Sequence, residues 1–153
     1  MTLPEPDPAF HWTREAWGDA LRCRPLSAVA QHLFTSKQLA LPDPGAWRDA
    51  LASVGSRPER LMRVKQVHGN VVRVLKQGEF PADAGDLRPD GDAIISNQAG
   101  LALAVMVADC VPVLLCDPIQ GAAAAIHAGW RGTCARIAPT AIDQMQREFG
   151  TDP

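Results

Sequence analysis

Two histidines and one cysteine of this sequence sit where metal ligands often sit. His68 precedes Gly69, His127 opens His127-Ala128-Gly129, and Cys110 joins two apolar runs beside Asp109 and Pro112. Glycine after a strand lets the backbone turn sharply, and strand ends are where open sheets place ligands. Two imidazoles and a thiolate make a three-donor set with a fourth tetrahedral position free, the pattern of a catalytic zinc. Their separations, 42 and 17 residues, impose no local ligand motif. A histidine or cysteine ending an apolar strand is also a common core residue, and spacing alone favours that plainer reading.

Other candidates surround these three. Asp90-Gly91-Asp92 has the composition of a tight turn, while Asp92 could also orient a ligand histidine or act as a base. Arg131 follows Trp130 near an expected helix start, where amides and a guanidinium could together hold an anion. The alternative for Arg131 is an exposed turn residue. The nucleobase deaminase pattern, His-x-Glu with Pro-Cys-x-x-Cys, is absent from the sequence. Acid–base work near the centre therefore falls to Asp92, Asp109, a further residue or a water on the metal. Cys116 is expected to pack in a sheet and Cys134 to lie on a helix surface or at its core contact, neither with an assigned function.

The elements that must position these residues follow from periodicity. Alternation from Leu61 to His68 predicts a half-buried strand, and Val71–Leu75 continues with β-branched residues. Residues 78–89 read as an exposed loop, rich in Gly, Pro and Asp. Strands are expected at Ala93–Ile95, Leu101–Val107, Val111–Leu115 and Ala122–Ile126; the second, apolar throughout, should be covered on both faces. Arg131–Phe149 reads as helix, with Ala138, Ala141, Ile142, Met145 and Phe149 on one face and Pro139 near its regular start. Earlier, Asp43-Pro44 should cap and open a short helix over Ala46–Val54 that ends at Gly55. Strands followed by a helix indicate a mixed α/β or α+β domain around a buried sheet.

Bulk properties narrow the function classes. The chain has 153 residues, 46% hydrophobic and 21% charged, a globular composition suited to one domain. Its net charge of −2 lacks the positive field that gathers a polyanion, so nucleic acid is not the expected partner. Met1–Pro8 has no apolar signal core, and Ala93–Ala108 is too polar and short for a membrane span. Four cysteines in such a chain are expected to be reduced thiols in a cytoplasmic protein.

Gln66-Val67-His68-Gly69, Asp90-Gly91-Asp92, the run from Ala108 to Leu115 and His127-Ala128-Gly129-Trp130-Arg131-Gly132 together resemble the polyphenol oxidase/laccase-domain family, also described as the purine nucleoside phosphorylase family. The likeness treats 1–153 as a single domain, is good over residues 60–150, and lacks the family's C-terminal portion. It implies a four-layer, sandwich-like fold with mixed sheets and outer helices, and a metal centre at one end of a sheet. It implies that His68, Cys110 and His127 bind zinc, with copper the alternative; phenol oxidation by copper would need several sites, which four histidines cannot furnish. The implied reactions are phosphorolysis of adenosine, inosine, guanosine and methylthioadenosine, and adenosine deamination. Beside zinc, Arg131 is the candidate for holding phosphate, and Asp92 or Asp109 for moving a proton or orienting a ligand. The family's Thr-Thr-Arg-x-Gly-Gly-Val-Ser segment has its counterpart at Phe34–Leu39, without the arginine or glycines. A sheet edge left open would call for a second copy or a completing partner chain, and a catalytically silent metal-binding subunit is the competing reading.

Overall fold

The structure, a computed structural model, describes residues 3–41, 43–79 and 88–152. Most of the expected 78–89 loop, residues 80–87, lies outside the described residues. The chain divides into two compact units, Met1–Pro58 and Glu59–Pro153.

In the first unit, β1 (Phe10–Glu15) and β2 (Gly18–Cys23) form an antiparallel hairpin, and β3 (Phe34–Thr35) adds to β2. A single turn, α1 (Arg24–Ser27), follows β2, and α2 spans Pro44–Ala52. The Asp43 carboxylate caps α2 by accepting from the Gly45 amide at 2.8 Å, and Pro44 occupies the first turn, as the sequence predicts. The helix is closed by Ser53, ahead of the expected Val54, and Gly55 then adopts φ +69°. Arg22 ties the unit together: its guanidinium donates to Glu15 (3.0 Å), to the Ser53 carbonyl (3.0 Å) and to the His32 carbonyl (2.8 Å).

His32 is buried with both ring nitrogens engaged. The Cys23 amide donates to Nε2 at 2.8 Å, which assigns the proton to Nδ1, 3.2 Å from the Ala30 carbonyl. Burial, reinforced by the charges of Arg22 and His11, holds its pKa below the usual 6.5. A second proton would replace the acceptor facing Cys23 with a donor. Because the folded pKa is depressed, the contribution of His32 is complete above 6.5 and is lost as pH falls from there toward the folded value. Denaturant melts should show stability falling over that interval by at most about 1.4 kcal/mol per pH unit. His32→Gln, which keeps an acceptor but gains no proton, should flatten this limb; an unchanged slope would refute the assignment.

The second unit contains β4 (Leu61–Arg63), β5 (Val72–Leu75), β6 (Ala93–Ser96), β7 (Ala102–Ala104), β8 (Val111–Asp117), β9 (Ala122–Ala128), α3 (Trp130–Cys134) and α4 (Ile137–Phe149). Four strands form one sheet in the order β5-β6-β9-β8, parallel between β5 and β6 and antiparallel elsewhere. β4 and β7 pair in parallel as a second sheet. Every residue of β6 is buried, because its two faces feed different cores. Ala93 and Ile95 pack with Ala124 and Ile126 of β9 and with Ile137, Ala141 and Met145 of α4. Ile94 packs on the other side with Met62, Val64 and Leu75.

The apolar patterning is therefore informative about burial but misplaces the doubly covered strand. Of Leu101–Val107 only Ala102–Ala104 is strand, half-buried, while Met106 and Val107 are 45% and 42% exposed. Likewise β4 stops at Arg63, and Lys65 beyond it leaves β7 for an isolated bridge to Asp90. The helix expected over Arg131–Phe149 is two helices, broken at Arg136, whose φ is +64°. Pro139 falls in the first turn of α4, where its missing amide costs no intrahelical bond. Ala141 and Met145 of the expected stripe are buried, and the third buried residue of α4 is Ile137 in place of Ala138. Among the described residues, no helix is long and apolar enough to cross a membrane.

Candidate metal centre

β9 carries His127 near its end, a buried residue whose ring is fixed from behind. Its Nδ1 lies 2.8 Å from Oδ1 of Asp92, which is fully buried just ahead of β6. With Nδ1–H donated to the carboxylate, Nε2 keeps its lone pair for a ligand. The Asp92 carboxylate also accepts three consecutive amides: Val67 (3.3 Å) and Gly69 (2.8 Å) at Oδ2, and His68 (2.9 Å) at Oδ1. Such a run of amides is an anion nest, and here the anion is a side chain of the same protein. It holds His68 at φ 61°, a left-handed conformation uncommon outside glycine and typical of functional sites.

Burial on its own would raise the Asp92 pKa. The hydrogen bonds from His127 and the three amides outweigh it, and the carboxyl is held below its usual value of 3.8. A buried carboxylate thus stays charged because every strong acceptor position is used.

The third donor, Cys110, arrives on the segment between β7 and β8. The ligand atoms of His68, Cys110 and His127 all lie within 4.8 Å of one another. The two imidazoles meet edge to face, with ring centroids 4.8 Å apart. Gly129 leaves the space between them open: a Cβ there would stand 3.1 Å from Cys110 Sγ and 3.2 Å from His68 Cδ2. Its φ of −72° is ordinary, so the requirement is for room rather than for backbone freedom. A second close approach seats α3, since a Cβ on Gly132 would lie 2.9 Å from the Gly69 carbonyl. Donor chemistry, proximity and this cleared space all fit one metal ion.

The other predicted residues are placed differently. Asp109 is exposed and makes no hydrogen bond or ion pair among the described residues. Arg131 is exposed on α3, with its guanidinium carbon 5.2 Å from the centre of the Trp130 ring. Neither is part of the three-donor cluster. Cys116 is half-buried in β8, where burial and the neighbouring Asp117 charge push its thiol pKa up; Cys134 is exposed. His11 and His32 belong to the first unit. Sequence reasoning names Asp92 but not its three amide partners, and it gives Gly129 only a turning role. An acidic residue flanked by glycine near a strand start is the available signal for the first; the second has none.

Comparison with known proteins adds an independent line. Residues 46–153 match the family model described as multi-copper polyphenol oxidoreductase laccase. A purine nucleoside phosphorylase of Streptomyces coelicolor is 44% identical over 117 residues, covering 72% of this chain and 46% of that protein. Another, from Corynebacterium glutamicum, is 44% identical over 107 residues, covering 69% of this chain and 42% of that protein. The chain therefore spans less than half the length of these curated relatives. Among solved structures, YlmD from Geobacillus stearothermophilus superposes with a TM-score of 0.71 at 27% identity, over 93% of this chain and 61% of that one.

Proposed function

Because the chain belongs to the multi-copper polyphenol oxidoreductase laccase family, we propose that it carries the zinc-binding centre of a purine nucleoside enzyme. The observation that carries this reading is the convergence of His68, Cys110 and His127 within 4.8 Å around space kept clear by Gly129. One mixed nitrogen–sulfur set suits a single zinc, whereas phenol oxidation by copper requires several copper sites, and His68, Cys110 and His127 are the one such donor group among the described residues. Relatives named purine nucleoside phosphorylase direct the substrate choice.

Held by His68, Cys110 and His127, zinc would supply Lewis acidity to the reaction. The chain's own residues do the rest. Asp92 is a positioning residue: it fixes the tautomer of His127 and the backbone of His68. Within four positions of a ligand along the chain lie the exposed apolar side chains Val67, Val71, Met106, Val107, Val111 and Trp130, and a purine ring is a flat apolar surface for such groups to cover. In phosphorolysis a phosphate oxygen bonds the anomeric carbon as the glycosidic C–N bond breaks, and the departing purine takes up a proton. Arg131 is assigned to the phosphate charge and Asp109 to the proton. Deamination of adenosine to inosine is the companion activity in this reading.

The test combines metal analysis with adenosine turnover in the presence and absence of phosphate. One zinc per chain with phosphate-dependent release of adenine supports phosphorolysis, and inosine formed without phosphate supports deamination. One zinc with neither product would replace this reading with a catalytically silent metal-binding subunit. Copper with phenol oxidation would replace it with an oxidase.

A further inference from the structure

Between β7 and β8 the chain passes through residues 105–110 without regular structure, yet this stretch delivers the sulfur of the ligand set. The side chain of Gln66 ties it to the His68 segment. The Gln66 amide donates from Nε2 to the Met106 carbonyl and accepts the Met106 amide at Oε1, both at 2.7 Å.

The reason lies in the strand pairing. β4 runs alongside β7 as far as Arg63 opposite Ala104. At Lys65 the backbone turns away to bridge Asp90, so the continuation of β7 loses its backbone partner. Gln66 restores the lost pairing with a side-chain amide, which offers one donor and one acceptor in the relation that a peptide group would. Gln66 is two residues before His68, and Met106 is four before Cys110. The clamp therefore joins the two ligand-bearing segments close to their donors.

We infer that Gln66 is a positioning residue for the Cys110 thiolate, an inference that rests on the metal reading above. Asp92 secures the two histidines, and Gln66 secures the sulfur against them. Without the clamp, residues 106–110 would sample other paths, and Cys110 would reach the ion only part of the time.

Cobalt(II) titration of the full chain tests this, because a thiolate bound to cobalt gives a charge-transfer absorption that histidine ligation does not. Gln66→Met keeps side-chain length and apolar packing but neither hydrogen bond. Its cobalt affinity should fall about 10- to 100-fold, as when a partner that orients a ligand is removed. Charge-transfer intensity per bound cobalt should fall as well, with the melting midpoint of the metal-free chain nearly unchanged. Wild-type affinity and intensity in the variant would overturn the inference. So would an affinity loss that tracks a fall in melting midpoint while intensity per bound cobalt is kept, because that marks general loosening. If Gln66→Met does not fold, Gln66→Glu, which keeps the acceptor and loses the donor, carries the same comparison. A parent chain with no thiolate band would overturn the metal reading and this one with it; a parent with the band and an unaltered variant would overturn this one alone.

Discussion

Asp92→Asn is expected to weaken metal binding and fold stability together, by about 10- to 100-fold in affinity and about 3 kcal/mol or more in stability. Each carboxylate oxygen of Asp92 serves two donors: Oδ1 takes His68 N–H and His127 Nδ1, and Oδ2 takes Val67 and Gly69 N–H. An asparagine amide has one oxygen and one NH2 group. At the Oδ2 position the NH2 group faces the Val67 and Gly69 N–H groups and loses both bonds; at the Oδ1 position it faces the His68 N–H and favours the His127 tautomer that accepts at Nδ1 and carries its proton on Nε2, which takes the lone pair from the metal. The residue is fully buried, so water cannot step in. Stability of about 5–15 kcal/mol is usual for a domain, so the loss is large but survivable. Denaturant melts of the metal-free protein and a zinc competition titration measure the two effects separately.

The same substitution should alter the acid limb of stability. The folded pKa of Asp92 lies below the usual 3.8, so its contribution is complete above that value and is lost as pH falls from there toward the folded pKa. The asparagine variant has no such proton to gain. Its stability should therefore vary less than the parent's over that acidic interval, from a lower starting level. A variant with parental stability and parental zinc affinity would show that the nest and the His127 contact are incidental.

Cys110→Ala should separate metal binding from folding. Cys110 is only partly buried, so the metal-free variant should melt within about 0.5 kcal/mol of the parent. Zinc affinity should fall about a hundred- to ten-thousandfold, the share of one donor in a site of this kind. Nucleoside turnover should disappear with it. Cys116→Ala is the control, since that thiol lies in β8 away from the donor set, with burial opposing its thiolate form. Unchanged zinc content and turnover in Cys110→Ala would remove the thiolate from the site and, with it, the proposed function.

Much of the local structure is readable from residue types because it depends on short-range physics. Asp43 and Pro44 announce the start of α2 through capping and a preset φ. Pro139 marks the start of α4 in a similar way, because a proline deeper in a helix would remove a backbone bond and clash with the preceding turn. The strands over Val72–Leu75, Ala93–Ser96 and Ala122–Ala128 follow from compact apolar runs between turn signals. Where competing partners decide the outcome, the pattern fails. Leu101–Val107 is as apolar as a doubly covered strand, but β4 leaves it after Ala104 to meet Asp90. The break at Arg136 adopts a left-handed conformation that composition disfavours, so periodicity runs straight through it.

By itself the sequence determined which atoms are available for chemistry: two imidazoles, a thiolate, a flanking aspartate, and glycines beside them, each on a segment whose strand or turn character is set locally. Whether those atoms come close enough to share one ion was decided only by tertiary structure, because His68, Cys110 and His127 are brought within 4.8 Å by pairings between distant segments. The contacts that arrange them are long-range as well, Asp92 to the 67–69 amides and Gln66 to Met106. A hydrogen bond between residues tens of positions apart leaves no periodic trace along a chain, since it depends on where two backbones meet and not on the spacing within either one.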